Sequence, residues 1–544
     1  MENRYIADRL DSFAALLELA ESNPYTVRAY RRASETIRSA ALPVADLVRA
    51  GGVRQLRGIG PGIEARLREL VETGEIAELA ELERELAPDL IGFGRYLGLS
   101  AKRSIELARS LGVRTADEFR EAAAAGRLRG VPGIGPKTEA RLLEALAAAG
   151  DARPRQGLLL NRALELVGGV AAALGGEVAG DARRWRDSCE WLAVVCVAVD
   201  AASLIERFAE LPQVVGLIER DERRALGVTV DGVPIELVTA PPERFGTELV
   251  RATGAPAYVA ALEPLPEAPD EAGVYAALGI PWCPPELREA PFSGEPPQLL
   301  GLDQIRGDLH CHTTWSDGRA SVEEMGRAAL ERGYEYLAIC DHTPAVGAVR
   351  GLRPDDVRRQ GDEIAAANEL LKPFRILRGI ECDILPDGRL DLPDDVLAEL
   401  DWVQASVHGG QRMPREEMTA RVEAALRNPY VRCLSHPTGR YINRRPENAL
   451  DLERIFEVAL EEGIALEVNG LPLRLDLSGG HVRDALRAGV EIVCSTDAHS
   501  VAGLENMTLA VATARRGCAT ATNVVNTRPL GAILGFRGGK TTGT

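Results

Sequence analysis

The sequence predicts a multidomain chain: an all-α front built from helical hairpins, a small α/β middle, and a C-terminal barrel of seven βα units. Three observations carry that prediction. At 544 residues, with about 150 residues per domain, the chain is long enough for three or four cores rather than one. Hydrophobic residues make up 45% and charged residues 27%, globular values that exclude disordered, collagen-like and membrane-spanning classes. All seven histidines lie between His310 and His499, so any chemistry that needs imidazole belongs to the back of the chain.

Charge divides the chain in the same way. Residues 1–150 carry 22 basic and 22 acidic residues, so the whole net charge of 64 − 81 = −17 falls on residues 151–544. The nine cysteines are scattered, with no CxxC pair and an odd count, which predicts a reducing, cytoplasmic setting and no disulfide framework. The start, MENRYIADRL, lacks a basic flank followed by an apolar core, so no secretory signal is expected. Only four basic residues are lysine: Lys102, Lys137, Lys372 and Lys540.

In chain order, the apolar spacing of DRLDSFAALLELAE and VRAYRRASETIRSA predicts two amphipathic helices separated by Asn23-Pro24. Glycine-rich turns then recur in LRGIGPGIEARLREL (56–70), IGFGRYLGLSAKRSIELARSLG (91–112) and LRGVPGIGPKTEARLLEAL (128–146). Gly58, Gly60 and Gly62 in the first, and Gly133 and Gly135 in the third, fall where the chain turns between helices and leaves backbone N–H groups free for a phosphate. Lys137, with Arg54, Arg57, Arg66, Arg127 and Arg129, supplies basic neighbours. These segments resemble helix-hairpin-helix motifs, which grip a nucleic-acid backbone without reading its sequence, so DNA is the expected partner. The helical front is assigned to residues 1–85 and 86–154.

Residues 155–290 combine a helix, LLLNRALELVGGVAAAL, with apolar runs EWLAVVCVAV, ALGVTV and VPIELVTA, which predicts the α/β middle. The chain is proline-rich from 265 to 300, and the linker is placed at 291–304. Residues 305–534 alternate apolar runs with amphipathic helices, and 535–544 read as a disordered tail. Within this last domain, Ser321 and Glu324 form a capping box at a helix start, and Gly333 marks that helix's end.

Seven of those runs end in metal-ligand residue types: His310 and His312, Asp341 and His342, Glu381, His408, His436, Glu467 and Asn469, then Asp497 and His499. In a parallel βα barrel every strand opens on one face, so residues distant in sequence converge in one cleft. Imidazole and carboxylate together suit zinc, manganese or iron, and the candidates outnumber the four ligands of one zinc ion. Two or three divalent ions are therefore expected, a set suited to phosphoester hydrolysis. His481, at a helix start, reads as a surface residue. Asp308 and Asp341 are candidates for orienting the imidazoles beside them, and Arg474 for a substrate phosphate or a surface ion pair.

DLHCHTTWSDG, CDHT, GIECDI, VHGG, SHPTGR, EVNG and STDAHS resemble, in order, the motifs of the PHP (polymerase and histidinol phosphatase) superfamily over about 230 residues. That resemblance implies nine metal ligands, His310, His312, Asp317, His342, Glu381, His408, His436, Asp497 and His499, with Glu381 bridging two ions. Asp317 stands where some relatives have histidine. The resemblance gives the catalytic role to His310, His312, Glu381, Asp497 and His499. SNPYTVRAYRRASETI, the hairpins, RFGTELVRATGA, PPELREA and IRGDLHCHTTWSDG extend the likeness to bacterial family X DNA polymerases with a fused PHP domain. This implies a nucleotidyltransferase-like palm and thumb between the hairpins and a distorted (β/α)7 PHP barrel.

The middle departs from that family's pattern. Aligned on Gly-x-x-Arg-Arg, GDARRWRDSCEWLAVV puts Asp181 at the expected serine, and Trp191 and Ala193 at the two aspartates that hold magnesium; Glu236 stands at the third carboxylate, and Ala255 replaces a serine. Only Asp187 and Glu190 offer nearby carboxylates. Nucleotidyl transfer is therefore expected to be lost. No lysine precedes Lys102, so Schiff-base chemistry in the front domain is not expected either, since arginine does not deprotonate. The expected activity is a DNA-directed 3′-5′ exonuclease or 3′-end-processing phosphodiesterase of DNA repair, with no obligatory protein partner and no membrane. Retained polymerase activity, a small-molecule phosphatase and a non-catalytic DNA-binding adaptor are the alternatives.

Overall fold

The computed structural model of the chain describes residues 1–536 apart from 2, 20–21, 39, 41, 57, 86–100, 114–115, 132–133, 148–156, 293 and 348. Arg57, Gly133, the start of the degenerate hairpin copy and residues 537–544 lie outside the described residues. The chain divides into two compact units: Met1–Leu158 with Arg162–Arg183 and Cys189–Ile280, and Leu159–Asn161 with Arg184–Ser188 and Pro281–Thr544.

In the first unit, the two predicted amphipathic helices form at Asn3–Leu19 and Pro24–Arg38. They bury Ile6, Leu10, Phe13, Tyr30 and Ile37, with the Phe13 and Tyr30 rings edge to face at 4.9 Å. Polar anchors tie this helical front to the α/β middle. Arg38 donates to Asp8 (2.9 Å) and Asp11 (2.8 Å), Arg162 pairs with Asp11 (3.3 Å) and Asp231 (3.0 Å), and Gln213 donates to Asp8 (2.8 Å).

The first hairpin joins the helices Val44–Arg49 and Pro61–Thr73. Gly58 turns at φ 91°, a left-handed conformation that calls for glycine although a side chain there would meet nothing within 4 Å. Pro61 occupies the first helical turn, where its missing N–H is not needed, and Ile59, Ile63 and Leu67 bury the apolar side.

The middle is a five-stranded sheet of β1 (Glu177–Ala179), β2 (Leu192–Val197), β3 (Val214–Arg220), β4 (Arg224–Thr229) and β5 (Pro234–Ala240), in the order β1-β2-β5-β4-β3. β2 and β5 run parallel, with Ala193 opposite Glu236, and every other pair is antiparallel. The helix Phe245–Thr253 lays Leu249 against Ala179, Ala193, Val195 and Val238.

The second unit is the predicted barrel. Seven parallel strands follow one another in sequence order: β6 (Gly307–Cys311), β7 (Tyr336–Ile339), β8 (Arg375–Asp383), β9 (Trp402–Ser406), β10 (Cys433–Leu434), β11 (Ala465–Asn469) and β12 (Ile492–Ser495). The ring closes just beyond its last strand through a Cys311–Ala498 bridge, with Asp497 N–H on His310 O (3.0 Å) and His312 N–H on Ala498 O (2.8 Å). Side chains alternate along each strand, as the pleat requires. One set, including Leu337, Ile376, Val403, Leu434, Leu466 and Ile492, packs against the surrounding helices. The other, including Leu309, Tyr336, Leu377, Trp402 and Val493, fills the barrel interior together with Ile533 and Phe536.

Phe536 corrects the expected tail boundary at 535. Its buried ring packs 6.0 Å from that of Trp402, because the barrel bottom needs an apolar plug. The proline-rich stretch also belongs to this unit from Pro281 onward. Leu300 N–H donates to Ala519 O (2.9 Å) and Glu286 pairs with Arg515 (2.7 Å), so it runs along the barrel's C-terminal helix rather than spanning open solvent. The capping box is present, with Ser321 N–H on Glu324 (2.8 Å) and Glu324 N–H on Ser321 Oγ (3.2 Å).

Candidate metal centre

The nine side chains singled out in the sequence meet at the C-terminal mouth of the barrel. His310 on β6 and His312, one residue past its end, point to the same side, and their Nε2 atoms lie 3.1 Å apart. His312 Nε2 is 3.1 Å from Asp497 Oδ1. Glu381, on β8, stands at the centre: Oε1 is 2.7 Å from His436 Nε2 and 3.4 Å from His408 Nε2, while Oε2 is 3.0 Å from His342 Nδ1 and 3.4 Å from His310 Nε2. Asp317 lies 3.2 Å from His499 and 3.7 Å from His342 on the open side. Three overlapping groups have ligand atoms close enough to share an ion: His312, Asp317, His342 and His499; His310, His312 and Asp497; His342, Glu381 and His408. His312 and His342 each belong to two of them.

Local backbone holds two of these side chains in place. His436 (φ 27°) and Asp497 (φ 53°) adopt left-handed conformations directly after β10 and β12, where a non-glycine residue is strained. The strain turns each side chain off the strand direction and over the mouth.

The donor chemistry fits divalent cations. Glu381 Oε2 and His342 Nδ1 approach at 3.0 Å, yet neither has a hydrogen-bond partner, and the buried Nδ1 atoms of His312 and His436 also lack one. Buried polar atoms without partners are costly in a protein interior, and a shared cation satisfies them. Protonation states agree. Burial, reinforced by repulsion from His499 and His342, pushes the His312 imidazole down to about 3, which keeps it a neutral donor. Burial opposes ionisation of Glu381 and Asp497, but the surrounding histidines outweigh it and hold both carboxyls well below their usual range. The same cluster holds Asp317 down. His342 is raised to about 10, because Glu381 and Asp317 outweigh its burial. Carboxylates packed this closely around imidazoles suit a divalent cation, which would take the place of the proton that His342 otherwise holds.

Residues behind the mouth organise it: Glu467 and Asn469, which the strand-end pattern flagged but which are not among the nine implied ligands, and Asp383, which the sequence reading missed. Glu467 on β11 places Oε1 2.7 Å from His310 Nδ1 and accepts from Ser435 Oγ (2.9 Å) and His436 N–H through Oε2. Burial would raise its carboxyl, but His310 and then His436 bring it down to about 2. Asp383 accepts from His408 N–H (3.1 Å), and Asn469 donates to Asp497 Oδ2 (3.0 Å). The available signal was strand parity: Glu467 and Asn469, like His310 and His312, are two residues apart at a strand end. Asp308 and Asp341 do not orient imidazoles as expected. Asp308 accepts from Thr496 and His310 N–H, and Asp341 from Thr313, Ser316 and Gln360, so both brace backbone loops. His481 sits apart, its N–H capped by Ser478.

Of the hairpin residues, Gly58, Gly62, Gly135 and Lys137 are exposed and Gly60 partly so. Several basic neighbours are engaged by carboxylates: Arg66 by Glu69 and Glu78, Arg129 by Glu139. In the middle sheet, Ala193 is fully buried, and the Glu236 carboxylate pairs with Arg224 at 3.3 Å. The Asp181 carboxylate accepts the N–H groups of Glu190 (2.8 Å) and Trp191 (3.0 Å), which ties it to the turn before β2.

Comparison with known proteins agrees with this layout. Residues 1–76 match the helix-hairpin-helix domain family, residues 97–148 the SAM-like helix-hairpin-helix tandem, and residues 308–470 the PHP domain. A probable phosphatase of Acetivibrio thermocellus is 33% identical over 35% of this chain and 78% of its own length, and one of Photobacterium profundum is 29% identical over 37% and 82%. The DNA polymerase/3′-5′ exonuclease PolX of Bacillus subtilis (strain 168) is 33% identical over 98% of this chain and 99% of its own. A likeness sustained from the first hairpin through the barrel places the chain in the PolX family, the bacterial family X DNA polymerases with a fused PHP domain.

Proposed function

We propose that the protein is a metal-dependent phosphodiesterase that removes nucleotides from DNA 3′ ends in repair, positioned by its hairpins, with its polymerase centre inactive. The observation that carries this reading is the set of three overlapping ligand groups sharing His312 and His342 around Glu381. When bound, divalent ions supply the Lewis-acid charge that polarises a phosphate and activates water. The residues proposed to hold them are His310, His312, Asp317, His342, Glu381, His408, His436, Asp497 and His499. Glu467 keeps the His310 ring in one orientation, and Asn469 does the same for Asp497, so the donors stay aimed while a phosphate is handled. The mouth remains open at Asp317 and His499, the edge from which a strand end enters.

The exposed hairpin turns at Gly58–Gly62 and Gly135–Lys137 offer backbone N–H groups to DNA phosphates, a contact that does not depend on base sequence. Support for an inactive polymerase comes from the middle sheet. Ala193 cannot bind magnesium, and the Glu236 carboxylate is already paired with Arg224 while burial pushes its carboxyl above the ordinary value. Purified protein assayed on 5′-labelled single-stranded DNA, with metal content measured in parallel, tests the reading. His310→Ala and Glu381→Ala are expected to lose bound metal and at least about 10²-fold of the nuclease rate. Digestion at the parent rate by either variant overturns it.

A further inference from the structure

A cavity of about 570 Å³ is lined by Arg186, Arg440, Tyr441, Arg444, Arg445 and Arg516, one arginine removed from the metal centre. Five guanidinium groups face only two carboxylates there, Asp187 and Glu447. The link to the centre is Arg474, which is 6% exposed. Its Nε lies 3.5 Å from Asp497 Oδ2 and has no hydrogen-bond partner, while its Nη2 donates to the Tyr441 hydroxyl at 3.2 Å. Arg474 and Arg445 both lie over the Tyr441 ring, 4.8 and 4.1 Å from its centroid. A row of cations therefore runs from Asp497 outward through Arg474 and Arg445 to the exposed Arg444.

Resting on the proposed reaction, we infer that this cavity is a phosphate subsite holding the backbone of the substrate strand next to the scissile linkage. A phosphomonoester presents one anion, which the metal centre alone accommodates. A row of arginines leading away from the centre matches a ligand with further phosphates along it, which is a nucleic-acid strand. Asp187 shapes the row by pairing with Arg440 (2.6 Å) and Arg516, which fixes two guanidinium groups as the cavity's wall. Arg445 is likewise set by the Gly439 carbonyl at 3.1 Å, so its planar fork is pre-organised for phosphate oxygens.

The test compares two substrates: a ten-nucleotide thymidylate strand, and the p-nitrophenyl ester of thymidine 5′-monophosphate, a small diester with one phosphate. For Arg444→Ala and Arg445→Ala, kcat/KM on the strand is expected to fall about tenfold more than on the small diester. The slope of log KM for the strand against log salt is expected to shrink by about 0.7 for each arginine removed. Arg444→Glu enlarges the loss, and Arg444→Lys restores the salt slope. Equal losses on both substrates, or an unchanged strand KM and salt slope, overturn the subsite. If the parent protein hydrolyses neither substrate, the proposed reaction fails separately. Anisotropy of the labelled strand then decides the subsite: a lost salt slope in Arg444→Ala upholds it and an unchanged slope overturns it.

Discussion

The charge balance around His310 shows how single residues decide what the mouth of the barrel can do. Its imidazole touches Glu467 on one side and faces Glu381 and Asp497 on the other, and these carboxylates outweigh burial and raise its affinity for a proton. Replacing Glu467 by Gln removes one of the anchoring charges without touching a proposed ligand. Metal affinity, measured by calorimetry, is expected to fall by about 10- to 100-fold, and an unchanged affinity contradicts the positioning role. Cysteine follows the opposite logic, because burial above all pushes the Cys196 thiol up to about 11 and the Cys382 thiol, beside Asp391 and Asp383, up to about 12. Eight of the nine cysteines are buried and only Cys518 is partly exposed. The native protein is therefore expected to release colour from a disulfide reagent at no more than one thiol until it is unfolded; fast reaction of several thiols refutes that burial. The convergence of six histidines on the barrel mouth was legible in the sequence because each of them ends an apolar run, whereas Asp317 was flagged only by the resemblance. Glu467 was harder to assign, since a carboxylate on a strand does not announce whether it faces an ion or an imidazole.

At the scale of elements, helix ends and buried ion pairs carry the testable energetics. The Ser321–Glu324 box satisfies N–H groups that the helix Val322–Glu331 would otherwise leave bare. Ser321→Ala is expected to cost about 1 kcal/mol in denaturant unfolding, and no change in midpoint refutes the cap's contribution. The loop Arg184–Ser188 is held through Asp187. Burial opposes its ionisation, but Arg516 and Arg440 more than offset this and hold the carboxyl below its usual value. A depressed carboxyl stabilises the fold above its unfolded value and loses that contribution as pH falls through the folded one. Asp187→Asn is thus expected to lower stability at pH 7 by about 2 kcal/mol, less than a fully buried pair gives because the side chain stays partly exposed. The gap from the parent should begin to close below about pH 3.8, the unfolded value, and vanish only once pH has fallen past the lower folded value; a gap that stays constant down to that point means packing, not charge, is responsible. The barrel strands and the hairpin turns were readable from period and glycine placement. The role of residues 184–188 was not, because a pairing of Asp187 with Arg440 and Arg516 spans hundreds of residues of sequence and leaves no local pattern.

Across the whole molecule, the charge division near residue 150 does not coincide with the compact units, since the first unit joins the hairpins to the acidic α/β middle. The neutral first 150 residues form the hairpins, and the acidic remainder contains the barrel, whose mouth concentrates carboxylates where cations belong. An acidic chain that meets DNA must do so through local basic surface rather than a global field, and the proposed surfaces are the exposed hairpin turns with Lys137 and the arginine-lined cavity. Tertiary structure also narrows what the front offers, since Arg66 and Arg129 are already paired with glutamates. The hairpins and the barrel were legible in the sequence; the packing of Phe536 into the barrel bottom was not, as one aromatic residue beside a glycine-rich end carries no period.

The proposed activity is shortening of DNA without lengthening it. A single gel decides this: a 5′-labelled primer on a template, incubated with manganese and all four deoxynucleoside triphosphates. The account predicts progressive shortening of the primer, no band above its starting length, and loss of the shortening in Glu381→Ala. Extension of the primer that disappears in Glu236→Ala, or shortening that survives in Glu381→Ala, would contradict it.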